Sequence, residues 1–203
     1  VGGQGFTGVT FLARLTPLMT PWVNEGFFCD VVVLVEGEED RAWILGTAAS
    51  LGHDFEGLGI SVIPCNGKNN LDRPYVVFTG LTIPTYLVWD GDKGARDAKP
   101  EVNQRLLRLV RAADEAWPSV RVSASHTVFE RNLPATVREE MGPVAHDAQV
   151  TAVIDEYGMS TKDDAFKNPF VVETLVRRLR DTGLRSPTID ALVDAVVAMR
   201  SQH

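Results

Sequence analysis

Apolar residues gather in four short runs, CDVVVLVE (29–36), GISVIPC (59–65), IPTYLVWD (83–90) and RVSASHTVF (121–129). The first and third are nearly continuous, the pattern of strands covered on both faces of a parallel sheet. Between the runs the spacing becomes helical. Residues 39–52 put Trp43, Ile44, Ala48 and Leu51 on one side, and 69–80 suit a shorter helix or a loop. Residues 101–117 carry Leu106, Leu107, Val110 and Ala113 at helical spacing, with Arg105, Arg108 and Arg111 on another side. The order β-α-β-α-β-α-β predicts an α/β fold, a parallel sheet of about four strands with right-handed crossovers and flanking helices.

Beyond residue 132 the pattern is wholly helical, with helices expected over 134–141, 146–157, 169–182 and 187–201; Gly183 and Ser186-Pro187 mark the stop and start between the last two. The opening FLARLTPLMTPWVNEGFF is broken by Pro17 and Pro21, and is expected to pack as one or two short helices beside the first strand. The chain therefore divides into a helical lead-in (1–28), an α/β core (29–132) and a helical C-terminal extension (133–203) that completes the site.

Composition narrows the class only slightly. The 203 residues are 44 % hydrophobic, enough for a substantial core. No stretch approaches the roughly 18 apolar residues of a membrane span, and VGGQGFTG lacks the features of a secretion signal, so a soluble, cytoplasmic protein is expected, with no membrane partner. Cys29 and Cys65 have no zinc spacing and read as reduced core thiols. A formal charge of −7 argues against binding a polyanion unless the acids are gathered around cations.

The acids are indeed gathered. VVVLVEGEED (31–40) runs from a strand into Glu36, Glu38, Glu39 and Asp40, and YLVWDGD (86–92) ends in Asp90 and Asp92. In an open parallel sheet the ligand crevice lies beyond the carboxyl ends of the strands. If the two strands are neighbours, Glu36, Asp40, Asp90 and Asp92 converge there, and such crowding of oxygens suits magnesium or manganese. Acids in the first turn of a helix and an Asp-Gly-Asp turn would explain either motif alone. Their joint occurrence favours a cation site.

EGFFCDVVVLVEGEEDRAWI, GISVIPCNGKNNL and YLVWDGD resemble the Toprim domain, and more narrowly the overcoming-lysogenization-defect (OLD) family of nucleases. The resemblance implies a Toprim-like sheet and a metal-dependent DNA endonuclease that hydrolyses phosphodiesters with two divalent cations, Mg²⁺ or Mn²⁺. It implies that Glu36, Asp40, Asp90 and Asp92 bind metal, with Glu36 also serving as acid or base. It implies one more carboxylate beyond the fourth strand, for which Glu130 is the first choice and Glu139 and Glu140 the next. It also implies a late lysine near the scissile phosphate: Lys167, with Lys162 as competitor. Family members carry an ATPase domain before Toprim, which fits a chain that begins at valine, and a full-length protein could form a homo-oligomer. No G-x-x-x-x-G-K-[ST] occurs in this chain, so no ATP hydrolysis is expected of it.

DNA contact requires basic residues set apart from the acids. Lys68, in the turn after the second strand, and Arg105 and Arg108 are the candidates, with Arg111 and the Arg177, Arg178, Arg180 group behind them. Gly3-Gln-Gly5-Phe-Thr-Gly8 matches a dinucleotide motif in letters only, because no strand can precede it. His126 and His146 have no partner at metal spacing and read as structural. The rivals are a haloacid-dehalogenase-like phosphatase, which leaves VEGEED unexplained, and a Toprim module that binds nucleic acid without cutting it.

Overall fold

A computed structural model describes residues 21–201. The elements run α1 (Pro21–Gly26), β1 (Val31–Val35), α2 (Glu38–Ser50), β2 (Ile60–Pro64), a 3-10 turn (Lys68–Asn70), α3 (Asp72–Gly80), β3 (Thr85–Asp90) and α4 (Pro100–Leu109). They continue with β4 (Arg121–Val122), β5 (His126–Phe129), α5 (Leu133–Glu140), α6 (Pro143–Tyr157), α7 (Lys162–Phe166), α8 (Pro169–Asp181) and α9 (Pro187–Ser201). The dinucleotide-like motif and the lead-in before residue 21 lie outside the described residues.

Among the described residues, five strands form one sheet in the order β2-β1-β3-β5-β4. Parallel register joins Val33 to both Val62 and Tyr86, and Asp90 to Phe129. The expected neighbourhood of the first and third strands is thus real. The expected fourth strand is instead two strands. Ser123 N–H donates to the His126 carbonyl at 2.9 Å and closes a tight turn, so Arg121–Val122 folds back antiparallel onto β5 as the edge of the sheet. Two paired residues are a short edge, which leaves little unpaired backbone for another chain to join.

Both faces of β1 are buried. Val31, Val33 and Val35 join a core with Trp43, Ile44, Phe129, Val172, Leu175 and Val193, whereas Val32 and Leu34 join Phe78, Leu87, Trp89, Leu106 and Leu107. The helices after residue 133 therefore cover one whole face of the sheet. α8 comes very close to α2 at Gly46, where a Cβ would stand 2.7 Å from the backbone nitrogen of Glu173. Any larger residue would push the two helices apart.

Two helical expectations change. α4 ends at Leu109 instead of running to 117, because Arg111 adopts a left-handed φ of 58° and Ala112 N–H turns back to the Leu107 carbonyl at 2.8 Å. Val110, just before this turn, and Ala112, just after it, still pack against the core, whereas Ala113, which the helical spacing placed on the apolar side, is exposed. α7 is an addition. Its start is legible in Thr161-x-x-Asp164: Thr161 Oγ1 accepts from Asp164 N–H at 3.1 Å and lies 2.8 Å from the Asp164 carboxylate. Both cysteines are free thiols, with Cys65 buried. No described helix is long and apolar enough to cross a membrane.

His126 plays a structural part with a measurable consequence. It is 4 % exposed, stacks on Trp89 with ring centroids 5.3 Å apart, and its Nδ1 lies 2.8 Å from Ser123 Oγ. Burial, with help from Arg121, depresses its pKa to about 4. An unfolded chain takes up this proton near the ordinary value of about 6.5, so stability present above that pH is lost as pH falls toward 4. We expect the loss to be on the order of 2–3 kcal/mol. Thermal unfolding of wild type and His126→Gln from pH 7 to 4 measures it: the variant should lack this part of the slope.

Candidate metal centre and active-site cleft

The carboxyl ends of β1 and β3 place two acids side by side. Glu36 follows the last residue of β1, and its Oε1 accepts the backbone N–H of Asp90 at 2.8 Å. Asp90 closes β3, and its Oδ1 accepts the N–H of Leu133 at 2.9 Å. Asp40, in the first turn of α2, reaches back so that Oδ2 accepts the Gly37 N–H at 3.0 Å. That is one half of a capping box, so the ordinary reason for an acid here holds as well. Gly91 is required by proximity: a Cβ would stand 2.6 Å from the Glu130 carbonyl oxygen. The left-handed turn falls on Asp92 instead, with φ 57°.

The electrostatics follow from this burial. Asp40 is 8 % exposed, and burial pushes its pKa up to about 6. Burial raises Glu36 to about 7; the Asp90 N–H and Lys68 work against the rise, and Asp40 and Asp92 add to it. Burial raises Asp90 well above the carboxylate range, with Asp40 and Glu36 next among the causes. Each carboxylate thus feels the others.

Asp92 belongs to the same rim but is already engaged. Its Oδ2 lies 2.8 Å from Lys68 Nζ. Lys68, expected to contact DNA, is itself 8 % exposed and faces inward to this pair. Among the described residues no three acid, imidazole or thiol side chains are close enough to form a ready-made metal cage. The reason is visible in the hydrogen bonds: Glu36, Asp40 and Asp90 each lean on a backbone N–H, and Asp92 on an ammonium. Even so, the donor set fits a hard divalent cation. All the donors are carboxylate oxygens, and Lys68 offsets charge on Glu36.

The rim opens into a cleft of about 730 Å³. Glu36, Asp40 and Asp90 line its floor, and Lys162, Asp163 and Lys167 come from the two ends of α7. Both late lysines therefore stand on the cleft, and both lower the pKa of Glu39, which burial raises. Phe166, between them, is buried against Trp43 with centroids 5.2 Å apart and anchors α7 to α2.

The structure does not bring the remaining candidates to the cleft. Glu130 pairs with Lys93 at 2.5 Å. Glu139 pairs with Arg131, and Glu140 accepts from Ser186, Thr188 Oγ1 and the Thr188 N–H at the start of α9. The acids that do reach it late in the chain or beside Asp40 are Asp163, Glu38 and Glu39. The Thr161-x-x-Asp164 capping signal could have found Asp163. Arg105 pairs with Asp72 at 3.3 Å and Arg108 with Asp114 at 3.8 Å; neither lines the cleft, and Arg111 has left the helix. Arg177, Arg178 and Arg180 pair with Glu173, Glu156 and Asp190. His146 is structural in its contacts, with Nδ1 3.0 Å from Asp147 and its ring stacked on Trp43.

This sheet, with acids from neighbouring strands at one edge, defines a Toprim-type α/β domain. Residues 27–92 match the family described as "Overcoming lysogenization defect protein-like, TOPRIM domain", and the chain carries an OLD-like Toprim domain. The fold is similar to the C-terminal region of the Burkholderia pseudomallei OLD protein, at 22 % identity and a TM-score of 0.55, over 86 % of this chain and 100 % of that one. It is also similar to the C-terminal region of the Xanthomonas campestris pv. campestris OLD protein, at 18 % identity and a TM-score of 0.52, over 88 % and 97 % of the two chains. No curated protein matches the chain.

Proposed function

We propose that the chain is the catalytic module of a DNA nuclease that hydrolyses phosphodiester bonds directly, using two divalent cations, Mg²⁺ or Mn²⁺. The observation that carries this reading is the pairing of a carboxylate floor, Glu36, Asp40 and Asp90, with the lysines Lys162 and Lys167 across one open cleft. Asp92, next to that floor, completes the acids that would hold the ions. Bound cations would supply Lewis acidity toward the phosphodiester and a readily ionised water. Lys162 and Lys167 would draw the DNA phosphate into a cleft whose floor is acidic, and would offset charge that develops in the transition state. Glu36 commits only Oε1 to the Asp90 N–H, so Oε2 is available to carry a proton at the reacting oxygen. No nucleophilic side chain is called for.

Supercoiled plasmid incubated with Mn²⁺ or Mg²⁺ tests the proposal: nicked or linear product that disappears with EDTA is expected. Intact plasmid under every divalent metal would leave a module that binds without cutting. Phosphate released from small monoesters while plasmid stays intact would point to the phosphatase instead.

A further inference from the structure

Phe170 is 60 % exposed and Tyr157 36 % exposed, and the two rings meet edge to face with centroids 5.7 Å apart. Large aromatics in water are costly unless something covers them. Their place is informative. Phe170 follows Lys167 by three residues, so its backbone lies within about 11 Å of a cation that lines the cleft. That reach equals about three base steps of a stacked strand. Cations flank Phe170 in sequence, Lys167 before it and Arg177 and Arg178 after it. Glu173 on α8 and Glu156 at the end of α6 are paired to Arg177 and Arg178, and Arg177 is 56 % exposed; Asp155, two residues before Tyr157, adds one further acid. Thr174, hydrogen-bonded to the Phe170 carbonyl at 3.1 Å, lies 3.3 Å from the Tyr157 hydroxyl and steadies the pair.

We propose that Phe170, braced by Tyr157, is a stacking platform for an unpaired nucleobase beside the cleft, so that the module prefers single-stranded or frayed DNA next to the bond it cuts. The inference rests on the nuclease reading for the origin of the strand, and its test separates the two. A flat π-face accepts every base, so the preference is for unpaired structure and not for sequence. Phosphate contacts by Lys162 and Lys167 would set the register, and the ring would add affinity that does not depend on salt.

Binding of a fluorescent oligo-dT strand, followed by anisotropy in Ca²⁺ buffer, tests this with Phe170→Ala, Phe170→Tyr and Lys167→Gln. Phe170→Ala should weaken binding about tenfold with an unchanged salt slope. Phe170→Tyr should bind as wild type does, and Lys167→Gln should flatten the salt slope. An oligonucleotide of abasic residues should bind wild type and Phe170→Ala alike. Equal affinity of wild type and Phe170→Ala for oligo-dT overturns the platform even if plasmid is cut. Loss of self-association in Phe170→Ala with unchanged DNA binding also overturns it, and gives the face to a second copy of the chain. Phe170-dependent binding by a protein that cuts nothing keeps the platform and removes the nuclease.

Discussion

If the chain is the proposed nuclease, Asp90→Asn is expected to leave supercoiled plasmid uncut, with a rate at least about 10³-fold below wild type, because an interaction worth several kcal/mol to the transition state would be removed. The substitution is mild in every other respect. Asparagine is nearly the same size, and its Oδ1 still accepts the Leu133 N–H that Asp90 accepts at 2.9 Å. What disappears is one negative charge from a floor where Glu36 and Asp40 supply the others. Glu36→Ala should fail in the same assay, with a far-ultraviolet circular dichroism spectrum like that of wild type. Arg105→Ala and Arg108→Ala serve as controls: both side chains pair with acids elsewhere, and neither lines the cleft. Undiminished cutting by Asp90→Asn would end the assignment of the acids.

Glu36→Gln is expected to raise the stability of the metal-free protein by on the order of 2 kcal/mol at pH 8. Glu36 sits among buried like charges, and its pKa rises from 4.5 to about 7. A carboxyl whose folded pKa lies above its unfolded value favours the fold at low pH, and that advantage is lost as pH rises through the folded value. Glutamine keeps the acceptor for the Asp90 N–H and carries no charge at any pH. The gain should therefore be largest at pH 8 and vanish near pH 4. Thermal unfolding in EDTA across that range measures it, and equal melting temperatures at pH 8 would refute it. Added Mn²⁺ should then stabilise wild type and leave Glu36→Gln nearly unmoved, since an ion stabilises only the state that binds it. Under the proposed function the site would hold destabilising charge for the sake of chemistry, the usual conflict between stability and activity.

Local patterning was enough for much of this protein. A strand of four valines and one leucine such as β1 has no wet face, so it announces a sheet covered on both sides; α9 was legible to the residue from Pro187 and its periodicity. Glu36, Asp40, Asp90 and Asp92 stand out because two acidic motifs each follow directly on an apolar strand, where a helix start or a turn would explain one of them but not both together. What the one-dimensional pattern leaves undecided is which partner each charge finds. Lys68 reads as a free cation and is buried on Asp92; Glu130 reads as a ligand and is held by Lys93. Lys162 and Asp163 become part of the cleft because Phe166 pins a short helix against Trp43. Strand and helix formation rest on burial that recurs with a short period along the chain, whereas ion pairs join side chains whose separation is set by the packing of distant elements. The first kind of information is written locally, and the second exists only once the helices after residue 133 have closed over the sheet.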